Sequence, residues 1–369
     1  MAGAYSMGSA GVACVGVGAM SARRSIAISG DLGSGKTTVS IELAERLGLR
    51  RVSMGDVHRE LARSRGMTAL QLNLSSERDE AVDAYVDRRQ RELAESGEPI
   101  IIDSRLGWHF FPDAFKVHLI TDSTVAAQRV LSRPGDGVES YSSLAEAEQR
   151  LKERGDSEQA RFKVKYGVDK FRLRNYSLVC DTTRVTPLEA VEAIADAYER
   201  FIECPEHSQN DHDDDDTYGD GTFVEPLLIL DPCRIFPMCS MSVLESVVLS
   251  ETDARASDSE SAVRDEQALM RIGHADRLFF AVDAESHRRL SAALRAGDRL
   301  VPARLVAEFD EEVVAGLSAT SYFEQEARPE IVRAWEAEHE IDLPALPRFL
   351  EQVGKSPSSR SNQNDGERS

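Results

Sequence analysis

The sequence predicts an α/β protein with a parallel sheet flanked by helices, followed by a second, smaller α+β domain. Three observations lead there. Short apolar runs alternate with helical patterns from residue 25 to about residue 202, the signature of βαβ units. The first run leads straight into a glycine-rich loop that opens a helix. The composition then changes abruptly between residues 203 and 222, and a new alternation begins at Pro226.

The elements follow in chain order. Residues 25–29 form a short buried strand. Residues 37–47 form a helix, with Val39, Ile41, Leu43, Ala44 and Leu47 at helical spacing and Gly48 as its stop. The next strand is 51–53, and helical patterns cover 56–65 and 77–95. Residues 99–103 are near-continuously apolar, as strands inside parallel sheets are, and 115–120 are another such run. A helix is predicted over 124–132, a long polar one over 143–166, a last strand over 176–180 and a closing helix over 187–202. In the second domain, 227–230, 278–282 and 301–306 read as strands and 286–296 as a helix, while 250–261 is a polar loop. The expected organisation is a disordered N-terminal extension (1–24), a first domain (25–202), an acidic linker (203–222), a second domain (223–345) and a disordered tail (346–369). Met20 is an alternative start. The run at 211–216 is aspartate apart from His212. With His207 it invites a metal reading, but a flexible run of like charges fixes no ligand geometry, so a solvated linker is expected.

A hydrophobic share of 41% beside 29% charged residues suffices for a buried core. The net charge of -20 argues against binding to nucleic acid or an anionic membrane surface. It does not argue against a nucleotide, whose phosphates need only a local cluster of Arg and Lys. The five cysteines (Cys14, Cys180, Cys204, Cys233 and Cys239) form no C-x-x-C pair, and their odd number points away from a disulfide framework. A reduced cytoplasmic setting is expected, and no stretch is long and apolar enough to span a bilayer.

Gly30-Asp31-Leu32-Gly33-Ser34-Gly35-Lys36-Thr37 matches the phosphate loop G-x-x-x-x-G-K-[ST]. Gly30, Gly33 and Gly35 allow backbone conformations that let successive N–H groups curl around a phosphate. The helix that follows aims its positive end at the same place. Lys36 adds a mobile charge between the β- and γ-phosphates, and Thr37 offers a hydroxyl to Mg²⁺. With Thr38, these residues form the candidate ATP site. A glycine turn without a ligand is the plainer alternative, but the strand before it and the helix after it are the context the motif requires.

A kinase for a small phosphorylated acceptor must hold two anionic substrates together, so arginines converge from several segments. Arg59, Arg105, Arg129, Arg133, Arg154 and Arg161 are available. Each alone reads as a solvated surface charge; their spacing from the loop raises them as a set. Arg105 follows a strand end, where open α/β sheets bind ligands, and Arg154, Glu158 and Arg161 share nearly one helical face.

Over residues 25 to about 195 the chain resembles the cytidylate kinases, in particular the short archaeal type. The likeness runs through the loop, then Val52-Ser53-Met54-Gly55-Asp56-Val57-His58-Arg59-Glu60-Leu61-Ala62, Asp87-Arg88-Arg89-Gln90 and Ile102-Asp103-Ser104-Arg105-Leu106-Gly107-Trp108. It ends with Lys152-Glu153-Arg154, Ser157-Glu158, Arg161-Phe162 and Tyr166-Gly167-Val168-Asp169. The resemblance implies transfer of the ATP γ-phosphate to CMP or dCMP with Mg²⁺. It implies that Ser53 and Arg59 line the monophosphate site and that Asp103 and Arg105 form its floor, Asp103 also serving the metal beside Thr37. It places Arg154, Glu158 and Arg161 on a closing lid, with Lys36, Arg154, Arg161 and Asp103 as the catalytic set. Other readings are a kinase for AMP, UMP or a phosphorylated metabolite, or an ATP-binding regulator with a partner-binding C-terminal domain. The chain departs from the family at Ser104, where glycine is usual, at Tyr176-Ser177 and around residues 132–137.

In the second domain, Asp283-Ala284-Glu285-Ser286-His287-Arg288 opens a helix after a strand, and Leu230-Asp231-Pro232 closes another strand. This resembles the ParB-like/sulfiredoxin-like fold, whose turn binds phosphate at a helix N-terminus. Here Ala284 replaces the glycine and Glu285 adds negative charge, so a retained scaffold with a regulatory or assembly use is expected. Tyr322, Phe323 and Trp335 suit either a partner surface or a core.

Overall fold

The computed structural model describes residues 24–67, 72, 80–132, 141–203, 226–237, 269–275, 277–314, 316–326 and 329–340. The expectations for the N-terminal extension, the acidic run, Arg133, the 250–261 loop and the tail lie outside those residues.

The first half contains β1 (Ile26–Gly30), α1 (Lys36–Leu47), β2 (Arg50–Ser53), α2 (Met54–Ser64), α3 (Glu80–Glu95), β3 (Ile100–Asp103), the short α4 (Gly107–Phe110), β4 (Phe115–Ile120), α5 (Ser123–Leu131), α6 (Leu144–Tyr166), β5 (Leu178–Asp181) and α7 (Pro187–Glu203). The second half contains β6 (Leu227–Leu230), β7 (Ile235–Pro237), β8 (Met270–Ala275), β9 (Leu278–Ala281), α8 (Ala284–Ala296), β10 (Val301–Glu308), β11 (Glu312–Val314), β12 (Leu317–Ser318), α9 (Ala319–Glu326) and α10 (Pro329–His339).

The sheet order is β2-β3-β1-β4-β5-β6-β10-β8-β9-β7. From β2 to β6 every neighbouring pair is parallel. Their carboxyl ends therefore lie along one edge, where open α/β sheets bind ligands. Ile26, Ala27 and Ile28 of β1 and Ile100, Ile101 and Ile102 of β3 are fully buried, as continuous apolar strands covered on both faces must be.

The two halves share this sheet. β6 pairs in parallel with β5, Leu178 opposite Leu227 and Cys180 opposite Ile229, and β10 then adds antiparallel to β6. The composition change at residues 203–222 falls between α7 and β6, and the sheet continues from β5 to β6. The core follows the sheet: one cluster joins Ile102, Trp108, Tyr176 and Val179 to Leu228, Leu230, Ile272, Leu290 and Leu305.

Local boundaries have local causes. α2 starts at Met54, earlier than expected, because Ser53 Oγ accepts the Asp56 amide at 3.3 Å as its cap. β5 starts later than expected because Tyr176 N–H closes a 3-10 turn on Leu173 O at 3.0 Å. β8 was not expected; its Gly273 lies where a Cβ would sit 2.3 Å from the Phe280 ring. Tyr322, Phe323 and Trp335 are buried in the core. No described helix is long and apolar enough to cross a membrane.

Candidate active site

The phosphate loop leaves the carboxyl end of β1 and enters α1. Gly33 has φ 82°, and a Cβ there would lie 2.7 Å from Ala126 Cβ; Gly35, with φ 83°, turns the chain into the helix. The loop is pinned from behind. Asp31 N–H donates to Leu119 O at 2.8 Å, Ser34 N–H to Asp31 O at 3.2 Å, and Thr182 Oγ1 to Ser34 O at 2.9 Å. The first amides of α1 have no partner within the helix, so the loop presents donors and the helix's positive end together. Ser34 Oγ is buried with no partner among the described residues. Leu32 packs toward Ala126 and Ala127, and Thr37 and Thr38 stand exposed on the first turn.

Asp103, at the end of β3, is buried and holds two cations. Lys36 Nζ pairs with its Oδ1 and Arg51 Nη2 with its Oδ2. Arg51 Nε donates to Ser40 Oγ at 2.6 Å, and that hydroxyl lies 3.4 Å from Asp103 Oδ2. Two cations on one carboxylate leave a net positive charge beside the loop.

A second cationic group surrounds Glu158 on α6. Arg105 Nη1 lies 2.9 Å, Arg154 Nε 3.4 Å and Lys170 Nζ 3.5 Å from its carboxylate. Burial pushes the Glu158 carboxyl up, but Arg105, Lys170 and Arg154 together outweigh it and hold it below the ordinary range. Burial lowers Lys170 more than Glu158 and Asp31 raise it. Three cations against one carboxylate are suited to receive further anionic oxygen. Arg161 lies over the Phe162 ring, 5.5 Å from its centroid, and joins neither group by an ion pair.

Ser53 and Arg59 meet at the start of α2, where Arg59 Nη2 lies 2.5 Å from Asp56 Oδ1 and so holds that carboxyl below its usual range. His58 on the same helix is lowered first by burial and then by the charge of Arg105, against a smaller opposing pull from Asp83. The unusual Ser104 is accommodated inward: its hydroxyl donates to Gln90 Oε1 at 2.6 Å and accepts the Leu106 amide at 3.3 Å. Asp87 accepts the Tyr166 hydroxyl at 2.9 Å, tying α3 to the end of α6.

A cavity of about 260 Å³ adjoins the loop, lined in part by Thr38, Arg129, Thr182, Val185 and Pro187. Arg129 spans it, with Nη2 2.5 Å from Thr182 O and Nη1 3.5 Å from Gly33 O. The sequence pattern does not single out this cavity, Arg51 or Lys170. The available signals were the Thr182–Pro187 stretch at a strand's carboxyl end, a charge inside a short strand, and a lysine directly after the family-like Asp169. Among the described residues, no group of three His, Cys, Asp or Glu is placed to hold a metal.

The AAA domain family model matches residues 26–162. The chain is 41% identical over 174 residues to a cytidylate kinase of Natronomonas pharaonis, covering 47% of this chain and 87% of that one. It is 35% identical over 178 residues to a cytidylate kinase of Haloarcula marismortui, covering 48% of this chain and 90% of that one. Among solved structures, a shikimate kinase from Bacteroides thetaiotaomicron is similar at 17% identity with a TM-score of 0.35, covering 50% of this chain and 99% of that one. Through its N-terminal half, the chain belongs to the cytidylate kinase family.

Proposed function

We propose that this protein transfers the γ-phosphoryl group of ATP to CMP or dCMP. The observation that carries this reading is the pair of cationic groups at the carboxyl edge of the sheet. Lys36 and Arg51 lie at the phosphate loop, and Arg105, Arg154 and Lys170 gather on Glu158. An oxygen of the CMP phosphate attacks the γ-phosphorus, the bond to the β,γ-bridging oxygen breaks, and ADP leaves. Such a transfer needs alignment and charge neutralisation more than covalent help.

Gly30, Asp31, Leu32, Gly33, Ser34, Gly35, Lys36, Thr37 and Thr38 bind the triphosphate, and the cavity at Arg129 and Thr182 receives the base of ATP. Ser53, Arg59, Arg105 and Glu158 hold the acceptor, while Arg154 and Arg161 act from α6 as lid residues. Magnesium fits this donor set, because it takes oxygen ligands from one or two side chains plus substrate phosphates. Thr37 and Asp103 would hold it, and it would neutralise charge on the phosphates. The C-terminal half reads as a ParB/sulfiredoxin-like scaffold whose family turn, among the described residues, offers no open phosphate site. Asp283 caps α8 through the Ser286 amide at 2.8 Å, Glu285 is paired by Arg288 and Arg289, and His287 is buried with Nε2 3.2 Å from Ala281 O.

The test is coupled ADP release from ATP·Mg²⁺ with a panel of nucleoside monophosphates. Turnover is expected with CMP or dCMP. Lys36→Ala should lower it roughly 100- to 1,000-fold, and Arg105→Ala should chiefly raise the KM for the acceptor. Turnover confined to another monophosphate would move the acceptor assignment. ATP binding without any turnover would replace the kinase with a regulator. A kinetically silent Arg105→Ala would remove Arg105 from the acceptor site.

A further inference from the structure

The C-terminal half grips the first half at the segment that carries Lys170. Glu308, the last residue of β10, is fully buried. Its carboxylate accepts the amides of Leu173 at 2.8 Å and Arg174 at 3.3 Å, which begin the 3-10 turn Leu173–Asn175. Around it, Arg174 Nε and Nη2 each lie 2.7 Å from an oxygen of Glu311, and Arg172 Nη2 lies 2.9 Å from Asp310 Oδ1. Arg277, between β8 and β9, stacks over the Phe171 ring at 3.9 Å and reaches Asp156 of α6 at 3.6 Å. Lys170 lies just upstream. Its carbonyl accepts the hydroxyl of the buried Tyr176 at 2.8 Å, and its ammonium faces Glu158.

Burying a carboxylate costs free energy unless hydrogen bonds offset it, and the hydrogen bonds that offset it here come from backbone amides of this one turn, with His274 Nδ1 3.7 Å from the same carboxylate. The same cost could be avoided by an apolar residue at the end of β10. What the carboxylate adds is a fixed geometry for the turn and the lysine before it.

We propose that Glu308 is a positioning residue for phosphoryl transfer, holding the turn that sets the Lys170 ammonium among Glu158, Arg105 and Arg154. The proposal rests on the kinase reading of that cluster. It makes the C-terminal half part of the kinase machinery, reaching the cluster through one buried side chain. A misplacement of about 1 Å at a transfer site can cost about 100-fold in rate.

A double-mutant cycle in the full chain tests it, with ATP·Mg²⁺ and CMP and with kcat and KM scored separately. Lys170→Met is expected to lower kcat about 100-fold and Glu308→Gln about tenfold, with the KM for ATP changed less than about twofold. The double variant is expected to be no slower than Lys170→Met alone, because Glu308 then has no ammonium to position. Losses that multiply, or a Glu308→Gln variant with wild-type kcat, overturn the proposal. If Glu308→Gln does not fold, Glu311→Gln loosens the same turn through Arg174 at the partly exposed rim. In that cycle, non-additive losses with Lys170→Met support the proposal and losses that multiply overturn it. A wild-type protein that phosphorylates no monophosphate overturns the kinase reading and this proposal with it. Wild-type turnover with independent losses overturns the proposal alone.

Discussion

His118 lies in β4 opposite Ser29, stacked on Tyr176 at 4.4 Å, with Nε2 3.9 Å from Asp31 of the phosphate loop. Complete burial pushes its imidazole from 6.5 to about 4, against the smaller pull of Asp31. Between those two values the unfolded chain takes a proton that the folded protein refuses. The histidine's contribution is therefore complete above 6.5 and is lost as the pH falls toward about 4, a difference of about 3 kcal/mol. His58 and His109 shift the same way, first through burial, so comparison with a variant isolates the one ring. His118→Phe keeps the stack on Tyr176 and removes the titration. Its melting temperature should fall less than that of the wild type between about pH 7 and about pH 4.5, and equal falls would show that His118 is not the buried neutral ring. At this scale the glycine loop was legible because neighbours in sequence define it, whereas Asp103 entered only through the resemblance to the cytidylate kinases. Arg51 was not legible, because it reaches Asp103 only through the pairing of β2 with β3.

The stretch after β5 joins the ATP side of the site to the C-terminal half. Asp181, fully buried at the end of β5, accepts Arg234 Nη1 at 2.6 Å and the Thr183 amide at 2.9 Å. Asp231, at the end of β6, accepts Arg184 Nε and Nη2 at 2.7 Å each. Because β6 is parallel to β5, both acidic residues emerge at the same edge, next to Thr182 and Val185 of the cavity. Asp181→Ala removes the acceptor from a partly buried guanidinium and an amide, so a loss of about 1–3 kcal/mol is expected, read as a lower urea midpoint. The same variant should raise the KM for ATP, since the stretch lines the cavity. Asp181→Asn, which keeps one acceptor oxygen, should recover part of both, and an unchanged ATP KM would separate this stretch from the ATP site. The elements themselves were legible where periodicity and caps agree. α6 begins after its cap Ser143 and ends at the left-handed Gly167, within a residue of expectation. β7 is too short to show a period, and β8 interrupts its apolar residues with Arg271, Gly273 and His274.

The two-domain expectation came from a composition break, and composition reports on the connecting chain rather than on strand pairing. Two edges meet at β5 and β6, and both are apolar: Leu178, Val179, Cys180, Leu228 and Leu230 are fully buried. Removing residues 204–369 would leave β5 as an edge strand paired only with β4 and uncover the apolar side of the shared core at Trp108, Tyr176 and Val179. It would also remove Asp310, Glu311 and Asp231, the acidic partners of Arg172, Arg174 and Arg184. The two cytidylate kinases compared above align with only about half of this chain, 47% and 48%. In this chain β6 covers the β5 edge, Leu178 opposite Leu227 and Cys180 opposite Ile229. The shortened protein is therefore expected to melt at least about 5 °C lower than the full chain and to elute as an associated species, through pairing of the exposed β5 edge. Calorimetry and size-exclusion chromatography at matched concentration would check both. An equal melting temperature with monomeric elution would mean that the two halves share a sheet without sharing stability.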